Sequence, residues 1–450
     1  MIGRATVKGL LAAAREEQAR QIAQNSLSLV GSVALTAGLG FVYWFVAALT
    51  FPQDAIGLAS ASISAMTLLG SLAMFGLGTL LVIEIHRHRG REVGLIATAM
   101  LVAAIVGALL GVLFPFAAAA LSREFHPLTD SPALVALFSA GVALTAGASV
   151  LDVALLGLLR GELQFSRSAA FAIVKLLLLA IASAVLVGSQ PRVTIIGTWI
   201  AGLFVSIAVI GAYSAWKGSL GRVLPLQFEA LRRLRGDALR NHALNLSATA
   251  PDWAMPVLVT AILSTTTGGA FFIAWTIAGV ALFVPAALAQ GLYAVCARAP
   301  ETLPRNLRWT LRLSSAIGIV MSLTTAALGP IALGLLGPGY VQGAPSLVIL
   351  AFGVFPVSIK AHYVTIGRLE DKLGATTRLI AAGAFVELCL AALGGLLGGL
   401  AGVSLGIVLG LTIQAVAMVP RLRRVLQEGV ANPGSGPTAA QGNGFQREGG

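Results

Sequence analysis

Charged residues are scarce in this chain. They make up 11% of its 450 residues, and hydrophobic residues make up 57%. A soluble domain carries about 25% charged residues, so this composition excludes an ordinary soluble fold and predicts an all-α integral membrane protein. The net charge of +12 does not indicate a nucleic-acid partner, because membrane proteins concentrate Lys and Arg in their cytoplasmic loops.

Cysteine pairs and enzyme signatures are also missing. The two cysteines, Cys296 and Cys389, lie in or beside apolar runs, so no disulfide framework is expected. The sequence has no phosphate-binding loop, no HExxH pattern and no paired-cysteine metal site, and the first outer loop holds only one acid, Asp54. We therefore expect no catalytic residues, no metal, no cofactor and no enzymatic activity.

Long apolar runs dominate what is present. Runs of about 18 or more residues are long enough to cross a bilayer, and twelve of them can be counted. They fall into two sets of six, at residues 27–49, 57–83, 94–118, 134–158, 169–187 and 194–216, then 243–263, 270–292, 310–335, 345–366, 378–397 and 402–420. No signal-peptide pattern precedes the first run, which is therefore expected to be a retained span.

The distribution of cations predicts the orientation. With the N-terminus in the cytoplasm, only Arg123 and Arg192 of the 30 Lys and Arg residues fall in outer loops, while Lys175 and Lys360 fall inside spans. The remaining cations all lie on the cytoplasmic side, as the positive-inside rule requires. We expect a multi-pass protein of the cytoplasmic membrane with both termini in the cytoplasm.

An even number of spans in each half gives the two halves the same orientation, which predicts two parallel six-helix lobes. We divide the chain into an N-terminal segment (1–26), an N-lobe (27–216), a linker (217–242), a C-lobe (243–424) and a disordered tail (425–450). The linker is basic, with Leu224, Phe228 and Leu231 at helical spacing. This favours an amphipathic helix on the membrane face, and the alternative is a plain solvated linker.

Ionisable side chains inside apolar spans are costly, so each is a candidate for function. Asp152 and Lys175 lie at matching depths in neighbouring spans, which predicts an intramembrane ion pair. Lys360 and Glu387 form a similar pair in the second half. Lys360 could instead remain unpaired and present its charge to an anionic lipid headgroup.

The seventh span carries a polar stripe. Asn245, Thr249, Asp252 and Pro256 follow one helix face at i, i+4, i+7 and i+11. Pro256 leaves the Asp252 carbonyl without its usual donor, and Pro251 does the same for Ser247. This pattern predicts a hinge at the two prolines, with spare oxygens that bind a proton or a cation. The alternative is a kinked packing helix in which Asp252 is neutral or paired.

The first span carries a matching stripe, and some aromatic residues lie where a cavity is expected. Asn25, Ser28, Ser32 and Thr36 share one helix face, which suggests a wet cavity shared with the seventh span. Ser and Thr are also ordinary helix-contact residues in membranes. Tyr43, Trp253 and Trp275 are candidates for sugar contact, although a buried aromatic residue more often only packs.

Four segments carry a family resemblance. FPQDAIGLASASISAMTLLGSLAMFGLG (51–78), the runs at 241–263 and 270–294, and AFGVFPVSIKAHYVTIGR (351–368) resemble polysaccharide flippases of the multidrug/oligosaccharidyl-lipid/polysaccharide (MOP) exporter superfamily. The resemblance covers residues 20–424. It implies a MATE-like, two-lobed fold of twelve helices, with spans 1, 2, 7 and 8 around a cavity that opens alternately to each side.

The resemblance also implies a function. Such proteins move polyprenyl-diphosphate-linked oligosaccharides from the inner to the outer leaflet, in cell-envelope polysaccharide biosynthesis such as that of lipopolysaccharide. The expected partners are the lipid-linked oligosaccharide, membrane lipids, a coupling cation (H⁺ or Na⁺) near Asp252 and envelope-glycan synthesis enzymes. The alternatives are a cation-coupled exporter of small amphipathic molecules and a non-transporting scaffold. This chain departs from the pattern in having few cavity cations, with only Lys175 and Lys360 inside spans.

Overall fold

The computed structural model describes residues 35–85, 87, 90–185, 190–218, 226–228 and 236–431. Within these ranges the chain is helical and contains no strand. An all-helical fold follows from the composition, because a lipid-embedded helix satisfies every backbone N–H and C=O within itself.

The first half contains seven helices in the described ranges. They are α1 (Leu35–Thr50), α2 (Gln53–Ala73), α3 (Leu77–Glu84), α4 (Glu92–Leu121), α5 (Pro132–Gly157), α6 (Gly161–Val185) and α7 (Pro191–Trp216). Proline and small polar residues mark the helix starts. Pro132 begins α5, and the Ser131 side chain accepts a hydrogen bond from the Leu134 amide, as expected of an N-cap.

The second half begins at Gly236. Its helices are α8 (Gly236–Ile262), α9 (Thr265–Cys296), α10 (Leu303–Leu336), α11 (Ala344–Ala351) and α12 (Val354–Leu369). A final helical run, Leu373–Ala431, is interrupted by non-helical backbone at Gly398 and Gly399. We call its two parts α13 (residues 373–397) and α14 (residues 400–431).

Eight described helices are long and apolar enough to cross a membrane, or nine if the bent pair α11 and α12 forms one span. This makes the chain a multi-pass membrane protein, whereas the count of twelve spans stays a prediction. The run predicted at 57–83 is broken between α2 and α3, where Phe75 and Gly76 have φ of 41° and 79°. Glycine adopts this left-handed backbone without strain, so the conformational cost of the break falls on Phe75 and not on Gly76.

The linker and the tail depart from the predicted boundaries. The predicted amphipathic helix of 217–242 lies largely outside the described residues, and α8 begins at Gly236, inside the predicted linker. The last helix continues to Ala431 and buries Val425, so the tail predicted to be disordered from residue 425 begins as helix. The last helix continues beyond the predicted span 402–420 because its apolar residues, such as Val425, pack on the bundle. Residues 432–450 lie outside the described ranges.

The two ends of the bundle differ in charge and in packing. We call the end with loops 122–131 and 337–343 the cation-poor end, and the end with loops 158–160, 297–302 and 370–372 the cation-rich end. At the cation-poor end one buried apolar cluster contains residues of both halves, including Trp44, Ile56 and Phe272. At the cation-rich end each half has its own cluster, around Leu81 and around Ile366. The halves are therefore joined at the cation-poor end, and their cores separate towards the cation-rich end.

Candidate functional site

A cavity of about 920 Å³ lies within the second half of the chain. Its walls come from α8, α9, α11, α12, α13 and α14. The lining is mostly apolar, and its polar groups are concentrated on α8 and α12. Along α9 the lining residues run from Trp275 to Tyr293, towards the helix end at the cation-rich end of the bundle.

The polar stripe predicted on the seventh span lines this cavity. Asn245, Thr249 and Asp252 are exposed to it, on one face of α8. Pro251 and Pro256 are buried and do not line the cavity, and the helix continues from Gly236 to Ile262 through both prolines. Their role as a hinge stays a prediction.

The opposite wall, α12, carries two cations. Lys360 and Arg368 both face the cavity, two helical turns apart. Arg368 Nη2 donates a hydrogen bond of 2.6 Å to Asn245 Oδ1, which ties α12 to α8. Arg368 lies just beyond the apolar run at 345–366, so the sequence predicts a loop position for it. The only available signal was its spacing of eight residues from Lys360, which puts both on similar faces of a helix.

Two carboxylates share the cavity with Lys360. Asp252 on α8 and Glu387 on α13 both line it, and the Lys360 ammonium acts electrostatically on both. No ion pair joins Lys360 to either carboxylate in the part of the chain that the structure describes. The Lys360–Glu387 pair is therefore not formed, and Lys360 stands unpaired within the described residues, as in the alternative interpretation.

Aromatic and amide groups complete the lining. Trp253, Trp275 and Tyr293 face the cavity together with the Gln290 amide. The Trp275 ring stacks on Phe271, with ring centroids 5.7 Å apart. Aromatic faces and amide groups of this kind are suited to sugar rings and their hydroxyl groups.

Tyr43 does not line this cavity, contrary to expectation. It is fully buried in the first half, where its hydroxyl donates to the Ile195 carbonyl at 2.9 Å and hydrogen-bonds the Thr198 hydroxyl at 3.0 Å. These two partners on α7 satisfy the phenol and hold its ring beside Lys175. Tyr43 is therefore a core residue of the first half.

The predicted Asp152–Lys175 ion pair is wrong. Asp152 accepts two hydrogen bonds, from Nε and Nη2 of Arg167, each 2.5 Å long. The matching depth of Asp152 and Lys175 did not decide the pairing. The planar guanidinium of Arg167 instead reaches both carboxylate oxygens of Asp152 at once. Lys175 is instead enclosed by three aromatic rings, with its Nζ 3.8 Å from the Trp199 centroid and 4.4 Å from the Phe171 centroid.

Three further predicted site residues, Asn25, Ser28 and Ser32, lie outside the described residues. Thr36, the last member of that stripe, is half-buried, and its hydroxyl oxygen has no hydrogen-bond partner. The wet cavity shared by the first and seventh spans stays a prediction. No group of three or more potential metal-ligating side chains occurs in the described ranges.

The cation-poor end is closed by contacts between the two halves. Gln53 Nε2 donates to the Thr266 carbonyl at 2.8 Å, and Glu124 Oε2 accepts from the Thr265 amide at 2.7 Å. At the crossing of α2 and α9, a Cβ on Gly57 would meet the backbone of Thr265, so the two backbones are in contact. The cavity therefore lies on the cation-rich side of a closed junction.

Comparison with known proteins agrees with this architecture. Residues 22–231 match the polysaccharide biosynthesis protein family. An inward-facing MATE family multidrug resistance transporter of the MOP superfamily is similar in structure, with a TM-score of 0.66 and 14% identity over 89% of this chain and 96% of that one. At this identity the similarity concerns the fold.

Two other solved structures have the same fold. A MOP superfamily transporter from Pyrococcus furiosus has a TM-score of 0.63 and 14% identity, covering 90% of this chain and 95% of that one. The lipid II flippase MurJ in an inward closed conformation has a TM-score of 0.62 and 11% identity, covering 90% and 91%. No curated protein sequence is detectably similar to the chain.

Proposed function

We propose, from the confirmed resemblance to polysaccharide flippases of the MOP superfamily, that this chain moves a polyprenyl-diphosphate-linked oligosaccharide across the cytoplasmic membrane. Transport runs from the inner to the outer leaflet by alternating access, as one step of cell-envelope polysaccharide biosynthesis. One observation carries the proposal: a cavity with cations, amides and aromatic rings lies on the cation-rich side of a closed junction. The lipid II flippase MurJ supports it as a structural neighbour.

The topology follows from the charge of the two ends. The cation-rich end is cytoplasmic, so the structure represents a state closed to the outside. In this topology α1 is the described part of the first span, α2 and α3 form the second, and α11 and α12 form the tenth. With α13 and α14 counted separately, the chain has twelve spans in two six-helix lobes. The N-lobe ends with α7 and the C-lobe begins with α8.

The cavity offers one subsite for each polar part of the substrate. Lys360 and Arg368 bind the diphosphate, because a guanidinium donates a pair of hydrogen bonds to phosphate oxygens and an ammonium adds a point charge. At 1.5 Å per residue they stand about 12 Å apart along α12, so their long side chains can converge on one diphosphate. Trp253, Trp275, Gln290 and Asn245 contact the sugars, and the polyprenyl chain stays in lipid.

A cation-coupled exporter of small amphipathic molecules is the second candidate. One observation favours it: the cavity is mostly apolar, and its 920 Å³ falls within the range of about 300–1,000 Å³ that encloses a drug-sized ligand. An oligosaccharide on a polyprenyl chain needs a larger opening between the two lobes. In either case the protein moves its substrate and breaks no covalent bond.

The test is transport by the purified chain in proteoliposomes. A fluorescent polyprenyl-diphosphate disaccharide is placed in both leaflets, and its exposure to a membrane-impermeant quencher is followed over time. We expect protein-dependent movement between leaflets, and we expect the double substitution Lys360→Gln with Arg368→Gln to slow it at least tenfold. Asp130→Asn, which changes an exposed acid in loop 122–131, is the control and leaves the rate unchanged.

The same vesicles separate the two candidates. If the lipid-linked disaccharide does not move under any proton or sodium gradient, the flippase proposal is wrong. If small amphipathic cations are exported from those vesicles instead, the second candidate replaces it.

A further inference from the structure

The cavity is lined by two cations, Lys360 and Arg368, and by two carboxylates, but its charges are not arranged as two pairs. Lys360, Asp252 and Glu387 project into it from three different helices, so one ammonium stands opposite two carboxylates. It acts on both and is paired directly with neither, within the part of the chain that the structure describes. The second cavity cation, Arg368, is hydrogen-bonded to Asn245 and not to a carboxylate.

Glu387 provides a second, independent observation, a buried carboxylate oxygen at the cavity wall. Its side chain is 2% exposed, and its Oε2 atom has no hydrogen-bond partner among the residues that the structure describes. A buried carboxylate oxygen is normally hydrogen-bonded, because its desolvation is otherwise uncompensated. Asp252, in contrast, has a side chain exposed to the cavity. Glu387 is therefore the buried acid and Asp252 the exposed acid of the same cavity.

Arg368 is the other cation of the lining, but it is bonded to Asn245 two helical turns from Lys360, and among the described residues Lys360 is the cation that acts on the two acids. Tyr293 on α9 is the remaining titratable group of the lining. His362 lies on α12 near Lys360, but its ring bonds to the Ser358 carbonyl and the Thr310 hydroxyl, away from the cavity. Cavity residues on α11 and α14 carry no charge. Compensation of the two carboxylate charges therefore depends on Lys360 or on protonation of the acids.

An anionic substrate disturbs this balance. If Lys360 turns to a phosphate oxygen of the substrate, the two carboxylates lose the cation that acts on them. They then face the negative charge of the substrate as well as each other. In a poorly solvated cavity such like charges repel strongly, and the repulsion opposes binding unless the acids are neutralised.

We propose that Asp252 and Glu387 retain Lys360 until protons neutralise them, and that the freed Lys360 then binds the anionic group of the substrate. The protons come from the aqueous solution on the side to which the cavity opens, and each forms an O–H bond on one carboxylate. Proton uptake and substrate binding therefore promote each other by the same factor. This inference rests on the proposed function and adds to it the coupling ion and the residues that couple it.

The test is equilibrium binding of radiolabelled geranylgeranyl diphosphate to the full-length protein in nanodiscs between pH 5.5 and pH 8.5. Proton uptake is measured in parallel with an indicator dye in weak buffer. We expect the wild-type Kd to tighten as pH falls, by up to about tenfold per pH unit for each linked proton. The diphosphate group of the ligand itself titrates in this pH range. Every wild-type Kd is therefore divided by the Kd that the double variant Asp252→Asn with Glu387→Gln has at the same pH.

Two variants and one control make the result specific. Asp252→Asn with Glu387→Gln mimics the neutral state, so it binds at pH 8.5 at least tenfold more tightly than wild type and takes up fewer protons. Lys360→Gln weakens binding at least tenfold at pH 5.5 and much less at pH 8.5, where the acids retain the lysine in wild type. Asp130→Asn behaves as wild type.

Each failure has a distinct meaning. Absence of geranylgeranyl diphosphate binding to the wild type at every pH contradicts the proposed function itself. Binding with the same pH dependence in the wild type and in the double variant contradicts the coupling alone. If added Na⁺ tightens binding at constant pH and acid does not, the coupling ion is not the proton.

Discussion

Charged side chains inside these apolar helices are accommodated in three different ways. Asp152 is neutralised by Arg167, Lys175 is surrounded by aromatic rings, and Lys360 remains open to a cavity. The first two are enclosed in the packed first half, where no large space adjoins them. The difference decides their roles, since only a charge that faces a cavity can reach a substrate.

Replacement of Lys175 by methionine is expected to preserve stability. Its ammonium contacts the faces of Tyr43, Phe171 and Trp199, and no carboxylate pairs with it among the described residues. Attraction to aromatic rings, worth about 2 kcal/mol when desolvated, offsets part of the cost of burying the charge. Lys175→Met keeps the volume and removes that cost, so the melting temperature in detergent changes by less than about 3 °C or rises.

Lys175→Ala serves as the matched comparison. It leaves a cavity between the rings and is expected to cost about 2 kcal/mol or more. A methionine variant as unstable as the alanine variant would contradict this account, because it would show that the ammonium itself is required.

Loss of the Asp152 carboxylate is expected to destabilise the first half. Arg167 is 7% exposed at its side chain and bonds to both carboxylate oxygens. Asp152→Asn leaves a buried guanidinium without its counter-charge, which typically costs about 3 kcal/mol or more. The double variant Asp152→Asn with Arg167→Gln should recover part of this loss. If thermal unfolding shows the double variant to be as unstable as Asp152→Asn, or to lose the sum of the two single losses, the two side chains do not act as a pair.

Helical spacing predicted the α8 stripe well but could not assign partners. Asn245, Thr249 and Asp252 share a cavity because residues at i, i+4 and i+7 must share a helix face. Arg167 and Arg368 lie just outside the apolar runs at 169–187 and 345–366, so the sequence predicts loop positions for both. Their contacts depend on how far a long side chain folds back along its helix, which spacing alone does not give.

At the scale of elements, the crossing of α2 and α9 holds the two halves together at the cation-poor end. A Cβ on Gly57 would lie against the Thr265 carbonyl, and one on Gly269 would lie against the Gln53 carbonyl. Backbone atoms cannot yield as the tip of a side chain can. The crossing therefore requires glycine at both positions.

Gly57→Ala is expected to shift the protein away from this closed arrangement. The added methyl group separates α2 from α9, so distances between spin labels on the two halves at the cation-poor end should lengthen or broaden. Gly197→Ala in α7 is the control, because nothing lies within 4 Å of its Cβ position. Unchanged distances in the Gly57 variant would show that the crossing does not limit opening.

A surface cluster of charges ties the end of α12 to α14. Glu370 accepts hydrogen bonds from Lys372 at 2.8 Å and from Arg421 at 2.9 Å. Partial burial by itself would raise the pKa of Glu370, but the two cations outweigh it and hold the pKa below its ordinary value. The cluster therefore stabilises the fold above the ordinary glutamate pKa, and its contribution is lost as pH falls through the lowered value.

The lowered pKa of Glu370 gives a pH-dependent prediction. Glu370→Gln should lower the melting temperature at pH 7 by about 1–3 °C, and this difference from wild type should shrink as the pH falls through the lowered pKa of the Glu370 carboxylate. Glu301→Gln, at an exposed position in loop 297–302, is the control. A constant difference between wild type and Glu370→Gln from pH 7 to pH 3 would contradict the assigned role.

Apolar runs located most helices, but they did not reveal the breaks. The interruption at Phe75 and Gly76 and the 45° bend between α11 and α12 lie inside continuous apolar sequence. Glycine is frequent in these runs, so its presence does not mark a break. Tertiary contacts decide which glycines leave the helix, as at Gly76, which lies against the Ala238 backbone.

At the scale of the whole molecule, the two halves share one apolar core at the cation-poor end and keep separate cores at the other. Separate cores permit the halves to move as units about the shared junction. An alternating-access transporter that is closed at one end needs its two halves joined there and free to separate at the other end, and the closed junction and the separate cores have this arrangement. Charge composition predicted the orientation of the ends, whereas only the structure shows which end is closed.

The central claim, that transport requires the cation-poor junction to open, is tested most directly by locking that junction. Gln53 and Thr266, which are joined by a hydrogen bond across it, are replaced by cysteine in a chain lacking Cys296 and Cys389. They are then bridged with a reversible bis-methanethiosulfonate reagent, and movement of the fluorescent lipid-linked disaccharide is measured in proteoliposomes. We predict that the bridge stops transport and that reduction restores it. Transport at an unchanged rate with the junction bridged would contradict the account.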